Sequence, residues 1–552
     1  MGVGKQYKAA LPEETISRVK RLLKVIGIKV KEETRTLKNL VYSARITITN
    51  GKIADLDLGS NGKGVTHEYA LASGYAELME RLQTRFLYDD LLMLPRSASK
   101  IFLGASFFRC APDENFHRPD WRFFPKLGSD FKPLVGRVAY AEMVSMRSGE
   151  AVNVPLELMR YMTGSTGACA GNTREEAVVQ GICEIVERHA LQRVFLDDGK
   201  GMPTIPTSLL KGFPAFKRLG KLARGQGVSF SIKDCSFGTG LPVLGLLIWN
   251  DTSYQFKLGV ATSPDAALSR CFTEIFQGYE GNECLLPRDP NVTLALSENF
   301  HRAKINGTGH FPAGIFVDRG ESTLANFKSF EKTDIAGDYE VLMKMLFSAG
   351  YDVYIRDCSF LGFPSYYIYI PGLSDIYPEL LNFEARIDRC MQLTRRVMSQ
   401  RYPSYNAAYL PTRYPYSLYA FAMSLKRKDY ISAQRCFETL LGQQLPRTSY
   451  NEAIKEFLGL RVKNLRIGLI REKLKERYGE PITEKILFEF GPNANTSGIF
   501  KLPTCFNCSE CPTQSTCAMN DIANIEKIIQ RKFRKYYCRQ HMSTSFGDIS
   551  KS

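Results

Sequence analysis

The stretch 174–188, REEAVVQGICEIVER, predicts a core helix that carries one polar face. At about 100° per residue, its polar side chains share an arc of roughly 80°; they are Glu176, Gln180, Glu184 and Glu187. The other positions are mostly apolar, so this face is not simply the solvent side of the helix. We expect the helix to run from Thr173 to about Asp197, with Asn172 or Thr173 as its N-cap.

Two further predicted helices carry a comparable polar face, and each set spans an arc of about 60°. The two sets are Ser73, Glu77 and Glu80, and Arg270, Glu274 and Gln277. Carboxylates one helical turn apart repel each other, and they do so more strongly where water is excluded. A cation is therefore expected between them.

These three helices, called the acid helices below, indicate a site for magnesium and a nucleotide. Mg²⁺ takes carboxylates from the protein and its remaining oxygens from water and phosphate. Cationic side chains on or near the same helices are available for the phosphates; they are Lys63, Arg81, Arg188 and Arg270. The alternative is that the acids form ordinary surface ion pairs with arginine and lysine.

The spacing of the glycines argues against a glycine-rich phosphate loop. The stretch 59–66, GSNGKGVT, lacks the spacing of a P-loop. A turn is predicted at Gly62-Lys63-Gly64, which is at most an accessory to a nucleotide site. Nucleotide binding would therefore use the acid helices themselves.

At these residues the chain resembles the YcaO family. The stretch 73–81, SGYAELMER, resembles the first ATP-binding motif of that family, and 169–180, CAGNTREEAVVQ, resembles the second, which continues into 184–188. Further matches are 62–64, the set on the third acid helix, and 371–378, PGLSDIYP. The resemblance covers roughly residues 10–390. One position departs from the pattern, because Cys169 stands where the motif begins with serine.

The resemblance implies an α+β catalytic domain in which ATP and Mg²⁺ lie among the motif glutamates. The implied metal ligands, directly or through water, are Glu77, Glu80, Glu176, Glu184 and Glu187. The implied ATP contacts are Lys63, Ser73, Gln180, Arg188, Arg270, Glu274 and Gln277, of which the two glutamines orient the set. The implied catalytic residues are Glu184, Glu187 and Arg270.

The resemblance also implies a reaction, the phosphorylation of a backbone amide oxygen in a peptide or protein substrate. Phosphorylation makes the oxygen a good leaving group, so a nucleophile can replace it in a thioamide, azoline or methylthiolation-related modification. Mg²⁺ would neutralise charge that develops on the transferred phosphoryl group.

The C-terminal sequence favours one branch of the family. Azoline-forming members usually finish in a proline-rich tail that reaches the active site, whereas this chain stops at 546–552, FGDISKS. The stretch 374–378, SDIYP, and the long C-terminal extension resemble the stand-alone bacterial branch. That branch implies ATP hydrolysis and an accessory role in β-methylthiolation, with a ribosomal protein of the small subunit or a methylthiotransferase as partner.

Length and composition agree with a large enzyme of more than one domain. The 552 residues are 44% hydrophobic and 24% charged, which is ordinary globular usage. No apolar segment follows the N-terminal residues, and the run 241–249 has the length of a buried strand, so we expect a cytoplasmic protein without a membrane partner. Most of the 14 cysteines are scattered, which favours reduced thiols.

The pattern of elements along the chain is α+β. Strands are predicted at 45–49, 241–249 and 366–371, and helical patterns at 12–27, 431–441 and 451–478. A hairpin is predicted at Asn50-Gly51, with Leu56 and Leu58 in the return strand. Loops and short strands are expected from about 95 to 135.

Three segments are expected from these patterns. Residues 1–400 form a catalytic domain with mixed sheets and core helices, residues 401–500 a helical accessory domain, and residues 501–552 a cysteine-rich and basic segment. We expect the protein to form a homodimer.

A second chemical cluster is formed by cysteines near the C-terminus. Cys505, Cys508, Cys511 and Cys517 lie within thirteen residues and could supply a tetrahedral Zn²⁺ site. The first three also match part of the spacing of a 4Fe–4S cluster run. Free or redox-active thiols are the third alternative, and Cys538 or His541 could replace one ligand.

The formal net charge of +16 raises the question of nucleic-acid binding. A basic run with interleaved aromatic residues lies at 527–539. Because no RNA-binding motif accompanies it, a solvated helix face is the preferred interpretation and no nucleic-acid partner is expected.

Three functions are consistent with the sequence. The first is an ATP-dependent enzyme that activates amides. The second is an ATP-hydrolysing accessory or scaffold factor for a ribosomal-protein methylthiotransferase, without amide activation of its own. The third is a protein whose cysteine cluster donates electrons or sulfur, which requires a redox-active cluster in place of zinc.

Overall fold

The computed structural model describes most of the chain between Lys8 and Phe490. The described residues are 8–56, 58–84, 140–155, 163–277, 282–287, 296–305, 307, 309–317, 320–330, 334–377, 421, 424–425, 428–443 and 449–491, together with isolated positions between 521 and 536. The predicted loops at 95–135 lie outside these residues.

Runs of strands and runs of helices, with the strands in three antiparallel sheets, confirm the α+β class over the described part of the chain. The α-helices are α1 (Pro12–Ile26), α2 (His67–Thr84), α3 (Arg174–Leu196), α4 (Thr207–Leu210), α5 (Pro214–Gln226), α6 (Pro264–Ile275), α7 (Leu296–Ile305), α8 (Ile335–Ser348), α9 (Tyr430–Gln443), α10 (Ser449–Val462), α11 (Ile467–Tyr478) and α12 (Glu480–Phe490). The strands are β1 (Val30–Leu37), β2 (Val41–Ile48), β3 (Gly59–Gly64), β4 (Tyr140–Ser145), β5 (Ala151–Pro155), β6 (Ala168–Ala170), β7 (Ser229–Asp234), β8 (Val243–Trp249), β9 (Ser253–Val260), β10 (Leu286–Pro287), β11 (Tyr354–Asp357) and β12 (Ser365–Tyr369).

The strands form three sheets. Their orders are β1-β2-β3, β5-β4-β11-β12-β6 and β10-β9-β8-β7. The strand pairs within these sheets are antiparallel, which differs from the mixed sheets expected from the sequence. The reason is local, because short connections such as the turn between β1 and β2 can join only antiparallel neighbours.

The pairing predicted on either side of Asn50-Gly51 is present but has a longer connection, since β2 pairs with β3 and the Ile48 N–H donates to the Leu58 carbonyl over 2.8 Å. The tight turn of the first sheet lies elsewhere. The turn joins β1 to β2 through Lys38 and Asn39, whose φ angles are 50° and 56°. At the predicted position a 3₁₀-helix spans Gly51–Leu56, and β3 begins only at Gly59. Asn50 instead links two other segments, because its Oδ1 accepts from the Lys29 N–H and its Nδ2 donates to the Gly27 carbonyl, each over 2.7 Å.

The predicted turn at Gly62-Lys63-Gly64 is wrong, because these residues belong to β3 and pair with β2. The glycines are needed for a close approach of α2 to this strand. A Cβ atom on Gly62 would lie 1.9 Å from the Ala70 carbonyl oxygen and 2.4 Å from the Gly74 nitrogen. The Lys63 side chain is thereby held beside α2.

The acid helices lie where the three sheets meet. Helix α2 packs on β2 and β3 of the first sheet and on β6 and β12 of the second. Helix α3 also packs on β6 and β12, and it reaches β9 of the third sheet, against which α6 packs. Their apolar faces belong to the core, with Tyr75, Ile182 and Phe272 fully buried. The polar faces are thus brought towards one region.

The C-terminal part of the described chain is helical, as expected. Helices α9 to α12 share a core formed by residues between Phe421 and Phe490. The single helical pattern predicted at 451–478 is two helices, α10 and α11, separated where Asn464 adopts a φ of 55°. None of the helices in the described part combines the length and apolar character needed to cross a bilayer.

We expect Phe457→Ala to loosen these C-terminal helices without unfolding the acid helices. The Phe457 side chain is fully buried, and its ring centroid lies 6.3 Å from that of Phe490. Removing a buried phenylalanine costs about 3–5 kcal/mol. Hydrogen exchange should rise in α9 to α12 and stay unchanged in α3. Phe488→Ala, at an 81% exposed position, is the control. Equal deprotection of α3 would contradict a separate accessory domain.

Candidate nucleotide site

The N-terminus of α3 is held by a cap and by the N-terminal segment of the chain. Thr173 is the N-cap, and its side-chain oxygen accepts from the Glu176 N–H over 3.2 Å. The Glu176 carboxylate accepts from the backbone N–H groups of Ala9 (3.1 Å) and Asn172 (3.3 Å), and it pairs with Lys8 over 3.2 Å. The Glu176 side chain is therefore already saturated, and the structure gives it a positioning role.

We expect Glu176→Ala to lower the free energy of unfolding by about 2 kcal/mol, because hydrogen bonds to a buried charged group contribute this much. Glu176 is 4% exposed, so the two backbone N–H groups would lose a buried acceptor. Chemical denaturation would measure the change. Glu175→Ala, one position earlier and less buried, is the control. An unchanged unfolding midpoint in Glu176→Ala would contradict the positioning role.

Helix α2 presents one paired and one unpaired carboxylate to the region where the sheets meet. Glu77 accepts from the Arg81 guanidinium over 2.7–2.8 Å, an i,i+4 ion pair. Glu80 has no ion pair among the described residues. Burial raises the pKa of Glu80 well above its usual value, and the charges of Glu184 and Glu77 raise it further.

Helix α3 presents Glu184, Glu187 and Arg188 to the same place. Burial raises the pKa of Glu184, and the charges of Glu187 and Glu77 also raise it, while Arg188 opposes the shift. Arg188 lies 3.7 Å from Glu187, a weak pairing, and its Nε is buried without a hydrogen-bond partner among the described residues. Glu184 and Glu80 are thus neighbouring carboxylates that form no ion pair among the described residues, although Arg188 and Arg81 partly offset their charges.

Helix α6 supplies Arg270 and Glu274. The Arg270 guanidinium donates to Gln180 of α3 and, over 2.7 Å, to the Val260 carbonyl. Glu274 forms an ion pair with Lys63 of β3. Burial lowers the pKa of Lys63 to about 8, against the opposing charges of Glu187 and Glu77. The helix ends at Ile275, so Gln277 lies beyond it and does not continue its polar face.

The structure therefore brings residues from β3, α2, α3 and α6 together, as the sequence predicted. The ordinary ion pairs weighed as an alternative are present for Glu77, Glu187 and Glu274. In the described part of the chain, no three acidic, histidine or cysteine side chains are arranged so that they could hold one metal ion. The predicted cage of five glutamates is thus not a preformed metal site.

The first residues of the two ATP-binding motifs differ in burial. Ser73 lies half-buried on α2, one turn before Glu77. Cys169, where the family motif has serine, is fully buried on β6 and its thiol donates to the Tyr366 carbonyl over 3.5 Å. Burial raises the pKa of Cys169 well above its usual value, and the charges of Glu80 and Glu184 add to this. The thiol is thus neutral and turned towards the sheet.

Two lysines that lie in this region were not predicted from the sequence. Lys257 lies on β9, and Lys304 lies on α7. Burial lowers the pKa of Lys257 to about 8 and that of Lys304 to about 7, and the charge of Arg188 lowers both. A lysine in the otherwise apolar run of β9 was the available signal. Nothing in the pattern of α7 distinguished Lys304.

The loop at 371–378 has a structural role. Asp375 is buried, and its carboxylate accepts from the Tyr369 hydroxyl and from the Gly372 N–H, each over 3.1 Å. Its carbonyl accepts from the Gln192 side chain of α3 over 3.1 Å. The loop thereby fixes the C-terminal part of α3 relative to β12.

The cysteine cluster lies outside the described residues. This applies to Cys505, Cys508, Cys511 and Cys517, and also to Cys538 and His541. Zinc, a 4Fe–4S cluster and free thiols therefore stay as alternative predictions. The cysteines that the structure does describe are buried thiols.

Comparison with known proteins gives a family match over the residues of this site. Residues 61–374, more than half of the chain, match the family model of the YcaO cyclodehydratases, described as ATP- and Mg²⁺-binding. One curated relative is the ribosomal protein S12 methylthiotransferase accessory factor YcaO of Escherichia coli, 25% identical over 396 residues. The match covers 67% of this chain and 66% of the relative, so the chain spans slightly less than two thirds of that protein.

Further similarities are more distant. An uncharacterised protein of Methanothermobacter thermautotrophicus is 23% identical over 399 residues, which are 66% of this chain and 94% of the relative. Among solved structures, the YcaO protein from Methanopyrus kandleri bound with AMPPCP and Mg²⁺ is 19% identical, covers 69% of this chain and 94% of its own, and has a TM-score of 0.46.

Proposed function

Because the chain belongs to the YcaO family of ATP- and Mg²⁺-binding cyclodehydratases, we propose that it activates a backbone amide by phosphorylating its oxygen. ATP would bind among α2, α3 and α6, with its triphosphate facing the acid helices. The substrate would be a peptide or protein, and the product a thioamide, an azoline or a methylthiolation-related modification.

The single observation that carries this proposal is the adjacency of Glu80 and Glu184. Both carboxylates are half-buried, burial raises the pKa of each, and the charge of Glu184 raises the pKa of Glu80 further. Neither forms an ion pair with a described residue, although Arg81 and Arg188 partly offset their charges. Two carboxylates in such a place are stabilised by a hard cation with oxygen ligands. Mg²⁺ is usually bound by one or two carboxylates together with substrate phosphates, so a larger preformed cage is not required.

The cations around these carboxylates fit a triphosphate. Lys63, Arg188 and Arg270 come from three different elements: Lys63 is influenced by Glu77 and Glu187, Arg188 acts on Glu184, and Arg270 donates to Gln180 on the same helix as Glu184. Arginine binds phosphate oxygens through paired N–H groups, and the buried Nε of Arg188 is a donor for which the described residues provide no acceptor. Phosphate binding would satisfy this donor and would draw Lys63 away from Glu274.

We assign roles to the residues on this basis. Glu77, Glu80, Glu184 and Glu187 would hold Mg²⁺, directly or through water, and Lys63, Ser73, Arg188 and Arg270 would contact the phosphates. Gln180 and Glu274 would orient Arg270 and Lys63, their partners in the structure. Glu176 would support the site indirectly, by holding the N-terminus of α3 in position. Gln277 would contribute only if the chain after α6 turns back towards the phosphates.

The chemistry follows from the weakness of an amide as an electrophile. The amide oxygen attacks the γ-phosphorus, the bond to the bridging β,γ-oxygen breaks, and ADP leaves. A nucleophile then adds to the amide carbon, and the original oxygen leaves as phosphate. Mg²⁺, when bound, offsets charge on the phosphoryl oxygens. Arg188, Arg270 and Lys63 would hold those oxygens in line for attack.

A second candidate is an ATP-hydrolysing accessory factor that does not activate amides itself. The name of the Escherichia coli relative, an accessory factor of a ribosomal protein S12 methylthiotransferase, favours it. In this case ribosomal protein S12 or the methylthiotransferase would be the partner. For both candidates we propose a homodimer, a catalytic domain at 1–400, a helical accessory domain at 401–500 and a cysteine-rich segment at 501–552.

ADP release in the presence and absence of ribosomal protein S12 separates the two candidates. If ribosomal protein S12 is the substrate of amide activation, S12 should accelerate ADP release, and ¹⁸O placed in its backbone amides should appear in the released phosphate. Release that S12 leaves unchanged, with unlabelled phosphate, would favour the accessory factor. Failure of the chain to bind Mg²⁺-ATP at all would contradict both.

A further inference from the structure

The orientation of Arg270 depends in part on the end of β9. Its guanidinium donates over 2.7 Å to the carbonyl of Val260, the last residue of that strand, and it also donates to Gln180 of α3. A guanidinium is planar and its N–H groups form a rigid fork, so two fixed acceptors decide where the remaining N–H groups point. The direction of Arg270 therefore depends on the position of the Val260 carbonyl.

The segment that joins β9 to α6 is short, and its residues 261–263 are buried. The Ser263 side chain caps α6 by accepting from the Ala266 N–H over 3.2 Å. At Gly259 an added Cβ would lie 2.3 Å from the Ala267 carbonyl oxygen, so the strand and the helix are in close backbone contact. A shift of this segment would therefore move the end of β9 together with the start of α6.

Asp338 of α8 holds this segment in place. The hydroxyl of Thr262 donates to the Asp338 carboxylate over 2.5 Å, and both side chains are buried. Asp338 lies in the first turn of α8, where the N-terminal end of a helix stabilises a negative charge. Helix α8 packs against α3, the helix that carries Gln180. The pair thus links the end of β9, through α8, to the helix that provides the second acceptor of Arg270.

The surroundings of this pair are apolar. Ala261, next to Thr262, belongs to one hydrophobic core cluster, and Leu342, one turn after Asp338, belongs to another. A buried polar pair in such a place contributes little net stability, but it specifies one arrangement, because separation would cost both groups a buried hydrogen bond. The hydrogen bond therefore contributes more to the position of the segment than to the stability of the fold.

We propose that Thr262 and Asp338 are positioning residues that fix Arg270 through the Val260 carbonyl. The inference rests on the proposed function, in which Arg270 contacts the transferred phosphoryl group. The hydrogen bond keeps the end of β9 in place, the Val260 carbonyl holds one side of the guanidinium, and the remaining N–H groups meet the phosphates. Neither Thr262 nor Asp338 belongs to the motifs that carry the family resemblance.

Modification of the whole chain by phenylglyoxal, followed by peptide mass spectrometry, tests the position of the Arg270 guanidinium directly. In Thr262→Val, which keeps the shape of the side chain, Arg270 should react at least about threefold faster, the effect of losing a hydrogen bond of typical strength. Thr262→Ser keeps the hydroxyl and should react at the wild-type rate. Thr483→Val, at an equally buried threonine of α12, is the matched control and should leave the rate at Arg270 unchanged.

Two results of this experiment would overturn the inference. One is an equal rate at Arg270 in the wild type and in Thr262→Val. The other is an equal acceleration at Arg461 of the C-terminal helices, which would show a general loosening of the chain in place of a local effect on Arg270.

ATP turnover separates positioning from a merely structural role. Steady-state ADP release should fall about tenfold or more in Thr262→Val, because misplacement of a group that acts in the transition state costs this much, while KM for Mg²⁺-ATP should change less than about threefold. In an Arg270→Ala background the same substitution should have no further effect, since it acts through Arg270. Unchanged turnover in Thr262→Val, or an equal loss in both backgrounds, would overturn the positioning role. Faster modification of Arg270 in Thr262→Val, together with a wild-type chain that releases no ADP, would support the positioning role and contradict the proposed function alone.

Discussion

Glu184→Ala is expected to lose ATP turnover by about a hundredfold or more while the chain keeps its fold. The side chain projects from the middle of α3 beside Glu80, and the charges of Glu187 and Glu77 act on it. Its removal deletes a ligand that the proposed Mg²⁺ requires, and so weakens stabilisation of the transferred phosphoryl group. Steady-state ADP release at saturating Mg²⁺-ATP would measure the loss.

Stability should not fall in the same variant. Glu184 has no ion pair among the residues described, and alanine has a higher helix propensity than glutamate. Removal of one of two adjacent carboxylates also relieves repulsion with Glu80. Thermal unfolding of Glu184→Ala should therefore match or exceed that of the wild type. Glu175→Ala, on the same helix, serves as the turnover control, and equal turnover in Glu184→Ala and wild type would mean that the carboxylates are wrongly assigned.

The second large effect is expected from Gly62→Ala, which should lower the free energy of unfolding by about 3 kcal/mol or more. The new methyl group would meet the Ala70 carbonyl and the Gly74 nitrogen, both of which are backbone atoms of α2. Backbone cannot move aside as a flexible side chain can, so α2 would have to separate from β3. Lys63, the next residue, would be displaced from Glu274 and the site, and nucleotide affinity should fall with stability.

Gly212→Ala provides a matched control, because an added Cβ there meets nothing within 4 Å. Chemical denaturation and calorimetric titration with an ATP analogue would measure both quantities in the two variants. If Gly62→Ala unfolds at the wild-type midpoint, α2 does not approach β3 as closely as the structure indicates. If Gly62→Ala unfolds at a lower denaturant concentration than the wild type but binds the ATP analogue with wild-type affinity, Lys63 is not a phosphate contact.

The acid helices could be predicted because their signals are local. Apolar positions recur with a helical period, and the cap of α3 was narrowed to two residues, of which Thr173 proved to be the cap. The predicted strands near 241–249 and 366–371 correspond to β8 and β12, whose residues are almost continuously buried. Such strands can be predicted without tertiary information, because strands that are buried on both faces consist almost entirely of apolar residues.

The errors arose where tertiary contacts decide the structure. The glycines of β3 were interpreted as a turn because glycine readily adopts positive φ angles. In β3 glycine instead allows the close approach of α2. Glu176 stays a predicted metal ligand, but the sequence did not show that its carboxylate would accept from the Ala9 N–H and pair with Lys8. Lys257 and Lys304 were missed because the burial of a lysine depends on which elements pack around it.

The most direct test of the central claim is calorimetric titration of the whole chain with a non-hydrolysable ATP analogue, in Mg²⁺ and in a chelator. Glu80 and Glu184 form no ion pair within the described part of the chain, Glu184 is influenced by the proposed triphosphate contact Arg188, and Lys63 is influenced by Glu77 and Glu187. Without Mg²⁺ these carboxylates would repel the analogue. We predict binding in Mg²⁺ and a loss of affinity of at least about tenfold in the chelator. Equal affinity in both conditions would contradict a magnesium site between the acid helices.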